Sequence, residues 1–289
     1  MTLRYDDMTL ANEVWSERGD VWTTGSTGET TVAVVCCLHG DEPCGKRAVE
    51  RLLAEYGDVE GAKFVLANPR AYERGERYVE ADLNRTFPGD PDADTDERRL
   101  APRVLEELRG HVVLDVHATE SRPTPFALFH RRTDAVFEAA RNTGIERVID
   151  IGFVEGGLIG HVDGVSVEFD RTDPEGAAEG AYRTTRNFLA NYGLIDAEPA
   201  GADPVVYRVY DEIPKEREGF ELLFENFERV GAGEVFARDG REVIEAGGTF
   251  YPVLTSEEGY EDIYGFEAEQ EGQLPAPCRE YPQGERRRE

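Results

Sequence analysis

The chain has 289 residues, enough for one large core or for a main domain with a smaller appendage. Hydrophobic residues make up 39% and fall in well-formed runs, which excludes a disordered acidic polymer. With 60 acidic against 32 basic residues, the net charge of −28 excludes a general nucleic-acid binder and a binder of anionic membranes, both of which need a basic surface.

The three lysines are Lys46, Lys63 and Lys215, and the other basic residues are arginines. An acidic coat so poor in lysine suits very high salt, which screens like-charge repulsion within a few Å. The expected setting is a halophile's cytoplasm. Residues 1–10 lack the basic start and apolar segment of a signal peptide, and no apolar run approaches 18 residues, so no membrane span is expected. Of the four cysteines, Cys36, Cys37, Cys44 and Cys278, none forms a CxxC pair, and Cys36 and Cys37 read as small buried thiols.

In chain order, residues 31–38 form an apolar, β-rich run that predicts a buried strand. His39-Gly40-Asp41-Glu42 follows, and Pro43 suits the first position of a helix. That helix carries Ala48, Val49, Leu52, Leu53 and Tyr56 at helical spacing and stops at Gly57. A strand over 63–67 leads into a long polar loop. A helix is expected over 96–109, started late or kinked by Pro102. Further strands are expected over 111–116, 148–151 and 164–170, with helices over 134–141 and 176–192. Strands alternating with helices predict an α/β domain with a mostly parallel or mixed sheet. After residue 197 short alternating strands take over, with an Asp239-Gly240 hairpin signal. The expected organisation is an α/β domain over 1–197 and a small β-rich domain over 198–289, with a poorly ordered tail from Leu274.

Chemistry-bearing residues gather after the strands. His39 and Glu42, three apart where a strand becomes a helix, can aim at one point; with a distant histidine they match the His₂Glu set of catalytic zinc. The spacing recurs at His117 and Glu120, so alone it singles out neither. Both histidines follow apolar strands, and sites in open α/β sheets lie beyond the carboxyl ends of strands. Asp115, two residues before His117, is either an orienting partner of that histidine or a solvated strand end. Glu168 stands in an alternating Val-rich strand, where it either faces solvent or serves a site. The arginines of Asn68-Pro69-Arg70-Ala71, Arg77-Tyr78 and Asp82-Leu83-Asn84-Arg85 either fork onto a substrate carboxylate or pair with surface acids.

Taken together and in order, His39-Gly40-Asp41-Glu42-Pro43, Asn68-Pro69-Arg70-Ala71, Arg77-Tyr78, Asp82-Leu83-Asn84-Arg85 with Phe87, Asp115-x-His117 and Val167-Glu168 resemble the aspartoacylase and succinylglutamate desuccinylase family. The resemblance covers residues 31–190, and more faintly the region of Tyr251-Pro252-Val253 and Tyr260. It implies a zinc carboxypeptidase-like mixed sheet flanked by helices, with a smaller C-terminal β domain. It further implies one Zn²⁺ per chain on His39, Glu42 and His117, Glu168 as general base, and Arg77 polarising the amide carbonyl. Asn84, Arg85 and Tyr260 would hold the substrate, with Tyr264 near enough to compete for the last role.

The implied activity is hydrolysis of the amide bond of a small N-acyl amino acid, with no nucleic-acid or membrane partner; acyl group, amino acid, oligomeric state and the metal used in the cell stay open. The family's additional Tyr and Arg before the catalytic-glutamate strand are absent. Residues 154–164 carry instead Glu155, a pair of adjacent glycines and His161, which argues against N-acetylaspartate as substrate. His111 and His130 read as structural or surface residues. Two rival readings are a metallocarboxypeptidase acting on peptides and a non-catalytic metal- or ligand-binding module.

Overall fold

The computed structural model describes residues 15–18, 21–25, 31–152, 154–215, 219, 221–257 and 262–274. Its centre is an eleven-stranded mixed sheet. In chain order the strands and helices are β1 (Ser16–Arg18), β2 (Val21–Gly25), β3 (Val32–Cys36), α1 (Cys44–Tyr56), β4 (Ala62–Leu66), α2 (Pro69–Arg74), α3 (Asp96–Glu107), β5 (Val112–Thr119) and β6 (Phe126–Phe129). There follow α4 (Asp134–Asn142), β7 (Arg147–Asp150), β8 (Asp163–Asp170), α5 (Pro174–Asn191), β9 (Val205–Pro214), β10 (Glu221–Leu222), β11 (Val235–Arg238), β12 (Val243–Glu245), β13 (Tyr251–Val253) and β14 (Ile263–Gln273).

The sheet order is β1-β2-β4-β3-β5-β8-β6-β7-β9-β14-β13. Strands β4, β3, β5 and β8 run parallel, β6 is antiparallel to β8, and β7 and β9 run parallel to β6. The sheet therefore continues past residue 197, through β9 and its antiparallel partner β14. The three-stranded sheet β10-β11-β12 is separate, and its β11–β12 turn contains the Asp239-Gly240 pair, with Gly240 at φ +82°. Among the described residues no helix is long and apolar enough to cross a membrane.

Helices cover both faces because the central strands are apolar on both. Every residue of β3 is buried. On one face Val34, Cys36, Leu114, Val116, Val165 and Val167 pack under α1, α4 and α5. On the other, Ala33, Val35, Val65 and Val113 pack against Leu100, Ala101 and Val104 of α3. A third apolar cluster, including Phe126, Leu128, Ile149, Tyr207 and Phe266, covers β6, β7, β9 and β14. The site lies between the second and third clusters.

Three local expectations shift. Pro43 is the cap before α1, not its first helical residue. Pro102 stands inside α3, which begins at Asp96 without delay; Asp96 and Glu97 in the first turn complement the helix dipole there. Strand β6, a four-residue apolar run, escapes a periodicity reading, because short apolar runs carry no period.

Candidate active site

β3 ends at Cys36, and the chain turns through Cys37 (φ +52°) into His39 and Glu42 before α1. Gly40 is required at this turn. A Cβ there would lie 2.1 Å from the carbonyl carbon of Ala71, so the backbone of α2 can approach only a glycine. The Gly40 N–H also donates to the Arg77 carbonyl at 3.1 Å, tying the turn to the loop that carries Arg77.

Neighbouring strands supply the rest through their register. His117 is opposite Glu168 and Asp115 is opposite Ser166 across β5–β8, so all four side chains lie on the face shared with α3. His39, Glu42 and His117 offer ligand atoms within 4.8 Å of one another, and all three side chains are buried. They form the cluster able to hold a metal ion among the described residues.

The donor set fits a cation on chemical grounds. His39 Nδ1 faces Glu42 Oε1 at 2.8 Å, and its Nε2 faces Asp82 Oδ1 at 3.1 Å. His117 Nδ1 faces Glu42 Oε2 at 2.9 Å, and its Nε2 faces Asp115 Oδ2 at 2.7 Å. A neutral imidazole whose Nε2–H serves the outer carboxylate turns a lone pair, not a proton, toward Glu42. Two lone pairs and a carboxylate converging in a buried space are matched by a divalent cation, with Asp82 and Asp115 as the carboxylates that orient the two rings. Burial opposes charge on His117, but Asp115 and Glu42 hold its pKa well above the ordinary value. Glu42 is likewise held well below the carboxylate range, its burial overridden by His39 and His117.

Glu168 is the opposite case. Its Oε2 is buried without a hydrogen-bond partner among the described residues. Burial, reinforced by the charges of Glu42 and Asp115 and only partly offset by the two histidines, pushes its pKa up to about 7.

The arginines divide by partner. Arg77 donates from Nε and Nη2 to Asp82 Oδ2 at 3.1 and 3.0 Å, and from Nη1 to Glu42 Oε1 at 3.2 Å. Arg171, just past β8, is bound to Asp41 Oδ2. Arg85 donates to the Asn84 carbonyl at 2.9 Å and is paired with no carboxylate among the described residues. Asn84 accepts the Leu158 N–H on Oδ1 at 2.9 Å, which leaves its amide NH₂ as the group open to a ligand.

These residues line a cavity of about 800 Å³ that also takes in Tyr78, Glu120, His130 and Leu254. Of the sequence candidates, His39, Glu42, Arg77, Asn84, Arg85, His117 and Glu168 all line it. Asp115 is fully buried behind His117. Tyr260 lies outside the described residues, and Tyr264 is buried in the cluster that includes Ile213 and Phe250, away from the cavity. His161 is exposed, with its ring 6.3 Å from that of Phe87.

Sequence reasoning misses four contributors. Asp82 stands out there only as part of a motif, and His130 reads as a surface residue. Arg171 carries no local pattern. Glu97, buried in α3, accepts the backbone N–H groups of Val79, Glu80 and Ala81 at 2.6, 3.1 and 3.0 Å and so holds the loop between Arg77 and Asp82. An acidic residue in a helix's first turn gives no sign of such a distant task.

The model of the succinylglutamate desuccinylase/aspartoacylase catalytic domain matches residues 29–153. Succinylglutamate desuccinylase of Pseudomonas paraeruginosa is 31% identical over 133 residues, which span 39% of this chain and 40% of that protein's length. Two solved structures share the fold at 20% identity, each with a TM-score of 0.66. One, from Rhodobacter sphaeroides and titled succinylglutamate desuccinylase/aspartoacylase, is covered over 89% of both chains. The other is murine aminoacylase 3, matched over 88% of this chain and all of its own. The fold is thus the expected mixed sheet flanked by helices with a smaller C-terminal β layer, and within it residues 29–153 are similar to the catalytic domain of the succinylglutamate desuccinylases and aspartoacylases.

Proposed function

We propose that this protein is a zinc-dependent amidohydrolase that removes the acyl group from a small N-acyl amino acid. The observation that carries the reading is the pairing of the buried His39–Glu42–His117 cluster with Glu168 one strand away, whose Oε2 is buried without a hydrogen-bond partner among the described residues. The similarity of residues 29–153 to the succinylglutamate desuccinylase/aspartoacylase catalytic domain supports the reaction class.

His39, Glu42 and His117 would hold the ion, with Asp82 and Asp115 fixing the two rings. The chemistry that a bound zinc supplies is Lewis acidity toward a carbonyl oxygen and toward water. The remaining work falls to the protein. Glu168, with a pKa near neutrality, takes a proton from the attacking water and returns it to the leaving amine nitrogen. Arg77, aimed by Asp82, donates to the carbonyl oxygen as negative charge develops there. Arg85 and the Asn84 amide hold the substrate carboxylate, which a chain of net charge −28 would otherwise repel. The same cavity floor would suit peptide hydrolysis, so the test must separate the two. Amine release from N-acyl amino acids by zinc-loaded protein, without release from peptides, supports the reading; the reverse pattern refutes it.

A further inference from the structure

The cavity is two-sided. Toward β3 and β5 it is polar, with Arg77 bound to Asp82 and Arg171 bound to Asp41. Toward β6 and β14 the lining includes Leu128, Ile151, Val154, Ile159, Leu254 and Phe266, all of the third apolar cluster, with His130 and Ser256 as its polar members. The sheet register brings the two sides together at Glu168. Phe126 is opposite Glu168 and Leu128 is opposite Ser166 across β8–β6, so Leu128 lies on the Glu168 face, one diagonal step away. Beyond it Ile149, opposite Leu128 on β7, continues the same apolar face.

Resting on the deacylase reading, we propose that the substrate carries one carboxylate, taken by Arg85 and Asn84, and an uncharged apolar substituent seated against Leu128, Ile151, Val154, Ile159, Leu254 and Phe266. A second carboxylate seated on these six side chains would lose its water against an apolar surface, with His130 as the basic side chain beside Leu128, while Arg77 and Arg171 already hold acids. An aliphatic or aromatic group, by contrast, gains roughly three- to fourfold in affinity for each methylene it buries. Of the four residues of the lobe that are buried, Leu128 and Phe266 come from the strands β6 and β14, and Ile159 and Leu254 from the turns before β8 and after β13.

The test is calorimetric binding of 4-methylpentanoate and of glutarate, similar in length, to the zinc-loaded full chain, beside turnover of N-acetylleucine and N-acetylaspartate. The expected result is binding of 4-methylpentanoate at least tenfold tighter. Ile151→Arg, at a half-buried position, is expected to narrow or invert that ratio. Glutarate binding as tightly or tighter, or no measurable binding of either acid, overturns the proposal whatever the turnover; the first result would mean that Arg171 leaves Asp41 for the ligand. The two claims separate cleanly. Hydrolysis of N-acetylaspartate alone, with glutarate preferred, would sink the apolar lobe and keep the deacylase. Preference for 4-methylpentanoate with no hydrolysis of any acyl amino acid would do the reverse.

Discussion

Asp82 grips Arg77 through both Nε and Nη2 with a single carboxylate oxygen, at 3.1 and 3.0 Å, while its other oxygen meets His39 Nε2 at 3.1 Å. One carboxylate thus aims the group proposed to polarise the carbonyl and orients a proposed metal ligand. Burial raises its pKa, but His39 and Arg77 outweigh that and hold it well below the carboxylate range, so it stays charged. Asp82→Asn should lower zinc affinity and kcat/KM together, each by about 10–100-fold. Chelator competition and steady-state kinetics read the two losses; a fall in one alone would deny the shared role.

Glu168→Gln should cut kcat by about 10²–10⁴ and leave one zinc bound per chain, counted by atomic absorption. His117→Ala, by contrast, should lose the zinc. Near-normal turnover in the Glu168→Gln variant would remove Glu168 from the mechanism.

The same carboxyl sets a pH dependence of stability in metal-stripped protein. Its folded pKa, about 7, lies above its ordinary value of 4.5. The folded state therefore prefers the neutral form; the favourable contribution is complete below pH 4.5 and is lost as pH rises to about 7. Glu168→Gln should stabilise the fold over wild type by an amount that grows through that window and then levels off, on the order of 1–3 kcal/mol at the plateau, with Tm rising in step. Thermal melts in chelator from about pH 5 to about pH 8 measure it, and a pH-independent difference would contradict it.

Glu97 and the loop it holds give a prediction outside the reacting groups. With a 1% exposed carboxylate accepting three backbone N–H groups, Glu97→Ala should destabilise the fold by about 2–4 kcal/mol. It should also loosen Arg77, lowering kcat at temperatures well below the melt. Full activity in a destabilised variant would separate the loop from catalysis.

Much of this is legible in the chain itself, for identifiable reasons. β3, β5 and β8 announce themselves by apolar runs or alternation, and a site beyond parallel strands follows from where strands end, which marks His39 and His117; Glu42 and Glu168 stay open on pattern alone and are singled out only by the family resemblance. What is not legible depends on partners distant in sequence. Glu97 and the loop residues it holds lie sixteen or more positions apart. Arg171 meets Asp41 at a separation of 130. The apolar lobe needs β6, β7 and β14 in one sheet with β8, and the short run of β6 carries no period to reveal it.

The central claim is tested most directly by following amine release from a panel of N-acyl amino acids with zinc-loaded protein in molar salt, in parallel with Glu168→Gln and with chelator. The account predicts turnover of at least one derivative, abolished by the chelator and reduced at least about a hundredfold by the substitution. Zinc bound and the fold intact, yet no amine released from any derivative, would contradict it.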